Sequence, residues 1–240
     1  MKKNNLKINS NMLVSFKSQS EISEKNLKLV DILDLKNPAK GSLGDWKISE
    51  IKNVVKIFGK EKMISATIGD TSDLKEVIQK IKIFDELELD FIKFGVFKKN
   101  TKQMLKFLSD IKSYNFKTEL VPVIFVDNKI TLDTAFKNLE SFKKFKFNFL
   151  LLDTFFKKGG DLFYNCSMNY LSRFLERSSK FGLSVGLAGK LKKSQVPNLL
   201  KLKPKIIGFR SAVCEKNDRN EKISEVKLEK IYNFFKSAKS

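Results

Sequence analysis

Short apolar runs alternate with stretches whose apolar residues recur every three or four positions, along nearly the whole chain. The short runs read as buried strands, and the three-to-four spacing reads as helices with one apolar face. Eight runs have strand character: residues 12–15, 30–35, 63–68, 91–94, 120–126, 149–152, 183–187 and 206–209. Between them lie the helical stripes. Ile48, Ile51, Val54, Val55 and Phe58 form one, and Leu74, Val77, Ile78, Ile81 and Phe84 form the next. Met104, Leu105, Leu108 and Ile111 follow, then a single stripe from Leu132 through Ala135, Phe136 and Leu139 to Phe142. Leu171, Phe174 and Leu175, then Val196, Leu199 and Leu200, and last Ile223, Val226, Ile231 and Phe234 complete the set, with a weaker helix over 21–29. Eight strands each followed by a helix predict an α/β protein of one domain, a (β/α)8 TIM barrel over residues 12–240, with residues 1–11 as a flexible tail. A doubly wound sheet ranks second because such sheets usually have fewer strands.

Composition narrows the chemistry more than the fold. Among 240 residues there is no histidine. That excludes a Ser-His-Asp triad, a Cys-His pair and a histidine-bound zinc, so proton transfer near neutral pH falls to carboxylates, lysines, Cys or Tyr. The formal charge is +20, yet only Arg173, Arg177, Arg210 and Arg219 among 47 basic residues are arginines. Arginine is the usual reader of phosphates and base edges, and the lysines are spread over every segment. The charge therefore reads as lysine drift on solvated faces, able to steer anionic substrates, and predicts no nucleic-acid partner. Cys166 and Cys214 are too few for a disulfide framework and point to a reducing, cytoplasmic setting. No apolar run is long enough for a membrane span, and the first ten residues do not read as a secretory signal. Oligomeric state is left open, a homo-oligomer included.

Sites in such barrels lie at the carboxyl ends of the strands. The second predicted strand ends Asp34-Leu35-Lys36, which puts Asp34 and Lys36 on one face. The fourth holds Lys93 among aromatics, and the sixth ends at Asp153, with Lys157 in the loop beyond. Strands two, four and six are alternate strands, so Lys36, Lys93 and Asp153 can meet in one layer at the mouth. For each residue singly, a solvated strand-end charge is the plainer reading; the three together favour a site. Clustered, desolvated lysines suit amine catalysis on a carbonyl, since both burial and neighbouring cations disfavour the ammonium form. Beside them, Asp34 fits a proton relay better than simple ion pairing. Gly189 and Lys190 after the seventh strand, and Arg210 and Ser211 after the eighth, occupy the recurrent phosphate-binding loops of these barrels. Gly41-Ser42-Leu43-Gly44 reads equally as a flexible cover or an ordinary turn. No metal site is indicated.

Asp34-Leu35-Lys36-Asn37-Pro38 with Gly41-Ser42-Leu43-Gly44 resembles the (5-formylfuran-3-yl)methyl phosphate synthase family. So do the 65–70 stretch Ser-Ala-Thr-Ile-Gly-Asp, Ile92-Lys93-Phe94-Gly95, Leu152-Asp153-Thr154 with Lys157, Leu187-Ala188-Gly189, and Gly208-Phe209-Arg210 leading to Asp218-Arg219-Asn220. The resemblance implies a cofactor-free (β/α)8 lyase of methanofuran biosynthesis that joins two glyceraldehyde 3-phosphate molecules, releasing phosphate and water. By motif position it makes Lys36 the Schiff-base lysine and Lys93 the proton acceptor. Asp34, Asp153 and Lys157 are then supporting catalytic residues, and the partner is a phosphorylated triose. The residues themselves leave two alternatives: a Schiff-base aldolase of another sugar phosphate, and a basic binding protein without catalysis.

Overall fold

A computed structural model of the chain describes residue 6 and residues 10–98, 100–156 and 159–237. Eight parallel strands pair each with the next, and the eighth closes on the first. They are β1 (Asn11–Phe16), β2 (Ile32–Leu35), β3 (Met63–Thr67), β4 (Phe91–Val96), β5 (Glu119–Phe125), β6 (Phe149–Asp153), β7 (Ser184–Leu187) and β8 (Ile206–Phe209). The expected (β/α)8 barrel is therefore the observed fold. Helices form the outer ring: α1 (Glu24–Lys28), α2 (Ile48–Phe58), α3 (Leu74–Asp85), α4 (Thr101–Lys112) and α5 (Lys129–Lys137). After them come α6 (Leu139–Lys144), α7 (Leu162–Asn165), α8 (Met168–Lys180), α9 (Val196–Lys201) and α10 (Glu225–Ser237). Several open on side-chain caps that satisfy an orphan N–H, as Asp73 does for Glu76 and Asn100 for Gln103.

The period-two rule divides the apolar strand residues between two cores. Outward positions such as Val14, Leu33, Ile92, Phe94 and Leu152 pack beneath the helices. Inward positions fill the barrel: Leu13, Ile32, Met63, Phe91, Val121, Leu151 and Ile206. A β-carbon at Gly186 would stand 2.8 Å from Leu151 Cδ1 and 3.3 Å from Ile206 Cβ, so the inner layer packs closely over this glycine. Nearer the carboxyl ends, the inward series turns polar at Ser15, Asp34, Ser65, Lys93 and Asp153, all buried. Below this level the barrel interior is lined by apolar side chains; at it, the site begins.

Four details differ from the sequence reading. The stripe over 132–142 is two helices, α5 and α6, because Asn138 turns its amide onto the Thr134 carbonyl and leaves helical geometry. On α10 the buried residues are Leu228, Ile231 and Phe235, whereas Val226 is exposed. The weak helix over 21–29 is a short turn at 19–21 followed by α1. Most of the expected tail lies outside the described residues, but Ser10 is buried and donates to the Pro204 carbonyl at 2.6 Å, and Asn11 already belongs to β1. No helix among the described residues is long and apolar enough to cross a membrane.

Candidate active site

Register places Ser15, Asp34 and Ser65 side by side on β1, β2 and β3, all pointing into the barrel. The Asp34 carboxylate accepts from Ser15 Oγ at 2.7 Å and from Ser65 Oγ at 2.6 Å. Its third partner is Lys93, whose Nζ lies 2.5 Å from Asp34 Oδ1. Both members of the pair are out of solvent, Asp34 at 0% and Lys93 at 3% exposure. Burial alone would push the Asp34 carboxyl up; the cations Lys93 and Lys36, with hydrogen bonds from Lys93 and Ser15, outweigh it and hold the group below the usual carboxylate range. Burial, reinforced by Lys36, pulls the Lys93 ammonium down against the attraction of Asp34. The result is an ionised carboxylate anchoring a lysine that gives up its proton more readily than a solvated one. Three donors converge on this carboxylate, which makes Asp34 the ion-pair partner of Lys93.

One level higher, Lys36 follows the end of β2 and pairs with Asp153 at the end of β6, 3.6 Å apart. The Lys36 side chain keeps 13% of its surface exposed, so this amine faces the cleft. Asp153 also accepts the backbone N–H of Thr154 at 2.7 Å. The four groups thus meet as two cross-paired couples at two depths. Lys157, the fifth candidate, lies outside the described residues.

The segment after Lys36 is tied down from both sides and does not form a loose cover. Asp70 accepts the N–H groups of Ser42 and Leu43, each at 2.7 Å, while Ser42 Oγ donates to the Phe155 carbonyl at 2.6 Å. Gly41 has φ 120°, and a β-carbon there would fall 2.0 Å from Asp70 Oδ2, which leaves glycine as the residue that fits. On the far side, Asp127 accepts the N–H groups of Phe155 and Phe156 and fixes the loop after β6.

The expected phosphate residues fare unequally. Gly189, at φ 107°, lets the chain after β7 pass close to Thr154: a β-carbon there would fall 2.8 Å from Thr154 Cγ2 and 3.0 Å from its nitrogen. Lys190 donates to the carbonyls of Phe156 and Gly159 at 2.9 and 2.5 Å, and burial pulls its ammonium down. Arg210 is the clear correction. All five of its N–H donors are used inside the protein: two on the buried Glu21 carboxylate, and three on the carbonyls of Ser15, Arg219 and Glu221. Its guanidinium braces β1 against the loops after β8 and has no donor left for a phosphate.

Gly189, Lys190 and Ser211 do share one cleft with Lys36 and Asp153, about 650 Å³ including its open mouth, walled by Phe155 and Phe156. The sequence reading omitted Ser15, Ser65, Asp70 and Arg219 from the site. The serines could have been found as polar interruptions at inward positions of apolar strands. Arg219, noted only as part of a family motif, gave no signal of its own. Among the described residues no cluster of three or more Cys, Asp or Glu stands ready for a metal ion.

Fold and site define a (β/α)8 barrel enzyme with amines and carboxylates gathered at the carboxyl mouth. The family model described as 4-HFC-P synthase matches residues 12–232, and the chain belongs to that family. A protein of Archaeoglobus fulgidus named (5-formylfuran-3-yl)methyl phosphate synthase is 32% identical over 92% of this chain and 97% of its own length. One of the same name from Methanocaldococcus jannaschii is 29% identical over 87% of this chain and 92% of its own. Among solved structures, phosphoribosyl anthranilate isomerase from Thermus thermophilus superposes with TM-score 0.65 at 13% identity, covering 95% of this chain and 98% of that one. A 3-hexulose-6-phosphate synthase gives 0.61 at 13%, covering 93% and 99%. At such identity the structural likeness shows the barrel alone.

Proposed function

We propose that the protein is a Schiff-base-forming carbon–oxygen lyase that converts two molecules of glyceraldehyde 3-phosphate into (5-formylfuran-3-yl)methyl phosphate, one phosphate and two waters. The reaction fits methanofuran biosynthesis and a cytoplasmic setting, in keeping with two buried, unpaired cysteines. The observation that carries this reading is Lys36 in the cleft directly above the buried Lys93–Asp34 pair. The Lys36 amine adds to the aldehyde of one triose phosphate, and loss of water gives an iminium. Lys93, the deeper amine, takes the adjacent carbon-bound proton, and the electron pair of that C–H bond neutralises the iminium as an enamine. The enamine carbon attacks the aldehyde of the second molecule, β-elimination expels phosphate, and cyclisation and dehydration form the furan. Displacement of the Lys36 amine from carbon returns the free enzyme, the net losses over the sequence being one phosphate and two waters. Asp153 holds Lys36 in place, and Gly189, Lys190 and Ser211 border the rim where phosphate groups sit.

Incubation with glyceraldehyde 3-phosphate, following furan absorbance and free phosphate together, tests the overall reaction. Borohydride should trap an adduct on Lys36 during turnover. Full activity in Lys36→Ala without an adduct would sink the proposal. A reversible aldol product without furan or phosphate would move the protein to the aldolase alternative.

A further inference from the structure

A phosphorylated substrate needs a cation with free donors, and among the described residues the two cations expected in the phosphate loops, Arg210 and Lys190, are engaged within the protein. Arg210 spends every N–H within the protein. Lys190 is bound to two carbonyls of the loop after β6. Arg219 remains. Its half-buried side chain comes from the loop beyond β8 and lines the same cleft as Lys36, Asp153, Gly189 and Ser211. Nη2 donates to the carbonyls of Pro38, at 3.1 Å, and Gly41. Its Nε and Nη1, with three N–H donors, have no acceptor among the described residues.

Two anchors fix where that guanidinium points. Behind it, the Arg219 carbonyl accepts Arg210 Nε at 2.8 Å, so the buried Arg210–Glu21 pair holds the backbone of this loop. In front, Pro38 and Gly41 belong to the segment that follows Lys36. Asp153 acts electrostatically on Arg219 and also pairs with Lys36 at 3.6 Å, so both cations feel the same carboxylate.

We propose that Arg219 is the side chain that binds the phosphomonoester of the triose reacting at Lys36, offering its unused N–H donors while its other nitrogen grips the 37–44 segment. The inference rests on the proposed Schiff-base reaction and adds to it the residue that makes the enzyme select phosphorylated aldehydes. The phosphate dianion completes the guanidinium's hydrogen bonds, and the grip on Pro38 and Gly41 ties the substrate's phosphate end to the segment directly after its carbonyl partner, Lys36. Arginine suits this double engagement because its donors point along fixed directions of a plane, whereas a lysine offers a point charge.

The test compares two aldehydes differing only in phosphate. Borohydride trapping on Lys36 is measured against concentration for glyceraldehyde 3-phosphate and for glyceraldehyde, in wild type, Arg219→Met and Arg219→Lys, with inorganic phosphate as competitor. In Arg219→Met the half-saturating concentration of the phosphate ester should rise by about tenfold or more. Glyceraldehyde should change by less than about twofold, and competition by phosphate should disappear. Arg219→Lys, which keeps charge without the fork, should fall between; if Arg219→Met does not fold, this variant decides. Equal losses for both aldehydes would overturn the inference by reducing Arg219 to a clamp on the 37–44 segment. Unchanged selectivity would overturn it as well. Absence of any wild-type adduct would instead remove the Schiff-base reading beneath it.

Discussion

Replacing Asp34 by Asn probes the buried pair most directly. The exchange preserves shape and leaves polar ends for Ser15 and Ser65. It removes the charge 2.5 Å from Lys93 Nζ, on a side chain with 4% of its surface exposed. The stranded ammonium has two courses. It keeps its proton at the cost of breaking a buried pair, about 3–5 kcal/mol, or it becomes neutral. Neutralising an amine of ordinary pKa near 10.4 at pH 7 costs about 4.6 kcal/mol, at about 1.36 kcal/mol per pH unit, so that figure is a ceiling. At pH 9 the same arithmetic lowers the ceiling to about 1.9 kcal/mol. Asp34→Asn should therefore lose about 3–4.6 kcal/mol at pH 7 and drop its thermal midpoint by roughly 10 °C. The loss should shrink as pH rises. With the opposing charge of Asp34 gone, burial favours the second course. Lys93 is then neutral in the folded variant, while the unfolded chain holds that proton up to about pH 10.4, so removing protons from solution favours folding. Urea denaturation of wild type and variant at pH 7, 8 and 9 reads this out, with Lys93→Met and the double variant completing a cycle. The double variant should be more stable than the sum of the single losses predicts, yet inactive. A penalty below about 1 kcal/mol, or one independent of pH, would refute the picture of a buried ionised pair.

Three further outcomes follow from the same geometry. Ser15→Ala or Ser65→Ala removes one hydroxyl donor from Asp34, so its carboxyl should rise toward the usual range. The acid limb of the pH–rate profile should then move to higher pH with KM changed less than about twofold, and an unmoved limb would show that the hydroxyls do not hold Asp34. Arg210→Met strands the buried Glu21 carboxylate and should cost about 3–5 kcal/mol in denaturation while leaving phosphate competition intact; loss of that competition in folded protein would restore Arg210 to the phosphate site. Burial pushes both cysteine thiols up to about 11, so a thiol reagent at pH 8 should label Cys166 and Cys214 only on unfolding, and fast labelling of the native protein would contradict their burial.

Periodicity made the barrel legible because strands buried on both faces carry uninterrupted apolar runs, and all eight stood out. Boundaries of helices were less visible. The break at Asn138 depends on one side-chain hydrogen bond competing with the backbone, and the apolar spacing from Leu132 to Phe142 runs straight through it. In the candidate site, Asp34, Lys36, Lys93 and Asp153 were legible as charges inside or at the end of apolar runs. Their cross-pairing was not: which lysine faces which carboxylate follows from barrel closure and stagger, long-range properties that no local pattern encodes. Arg210 shows the opposite error. Its position after β8 matched a phosphate loop, but its partner Glu21 lies far away in sequence, and only folding reveals that its donors are spent.

The two site lysines also explain why number of lysines and chemistry are unrelated here. Lys93 sits at an inward position within β4, with backbone on both sides and the inner layer beneath, so it is dry and tied to Asp34. Lys36 sits one residue past the end of β2, where the strand gives way to the 37–44 segment and the cleft opens. Identical side chains thus acquire different environments from strand position alone. Under the proposed reaction that difference assigns the roles: an attacking amine must reach substrate, and a base that takes a carbon-bound proton works best shielded from competing water. Pairing each lysine with its own carboxylate keeps the two cations from excluding one another at close range. A shift of one residue would undo the arrangement, because neighbouring strand positions face opposite sides. A lysine at 94 would point into the helical layer, where Phe94 packs against Phe107 and Phe147, and would find no carboxylate on those rings.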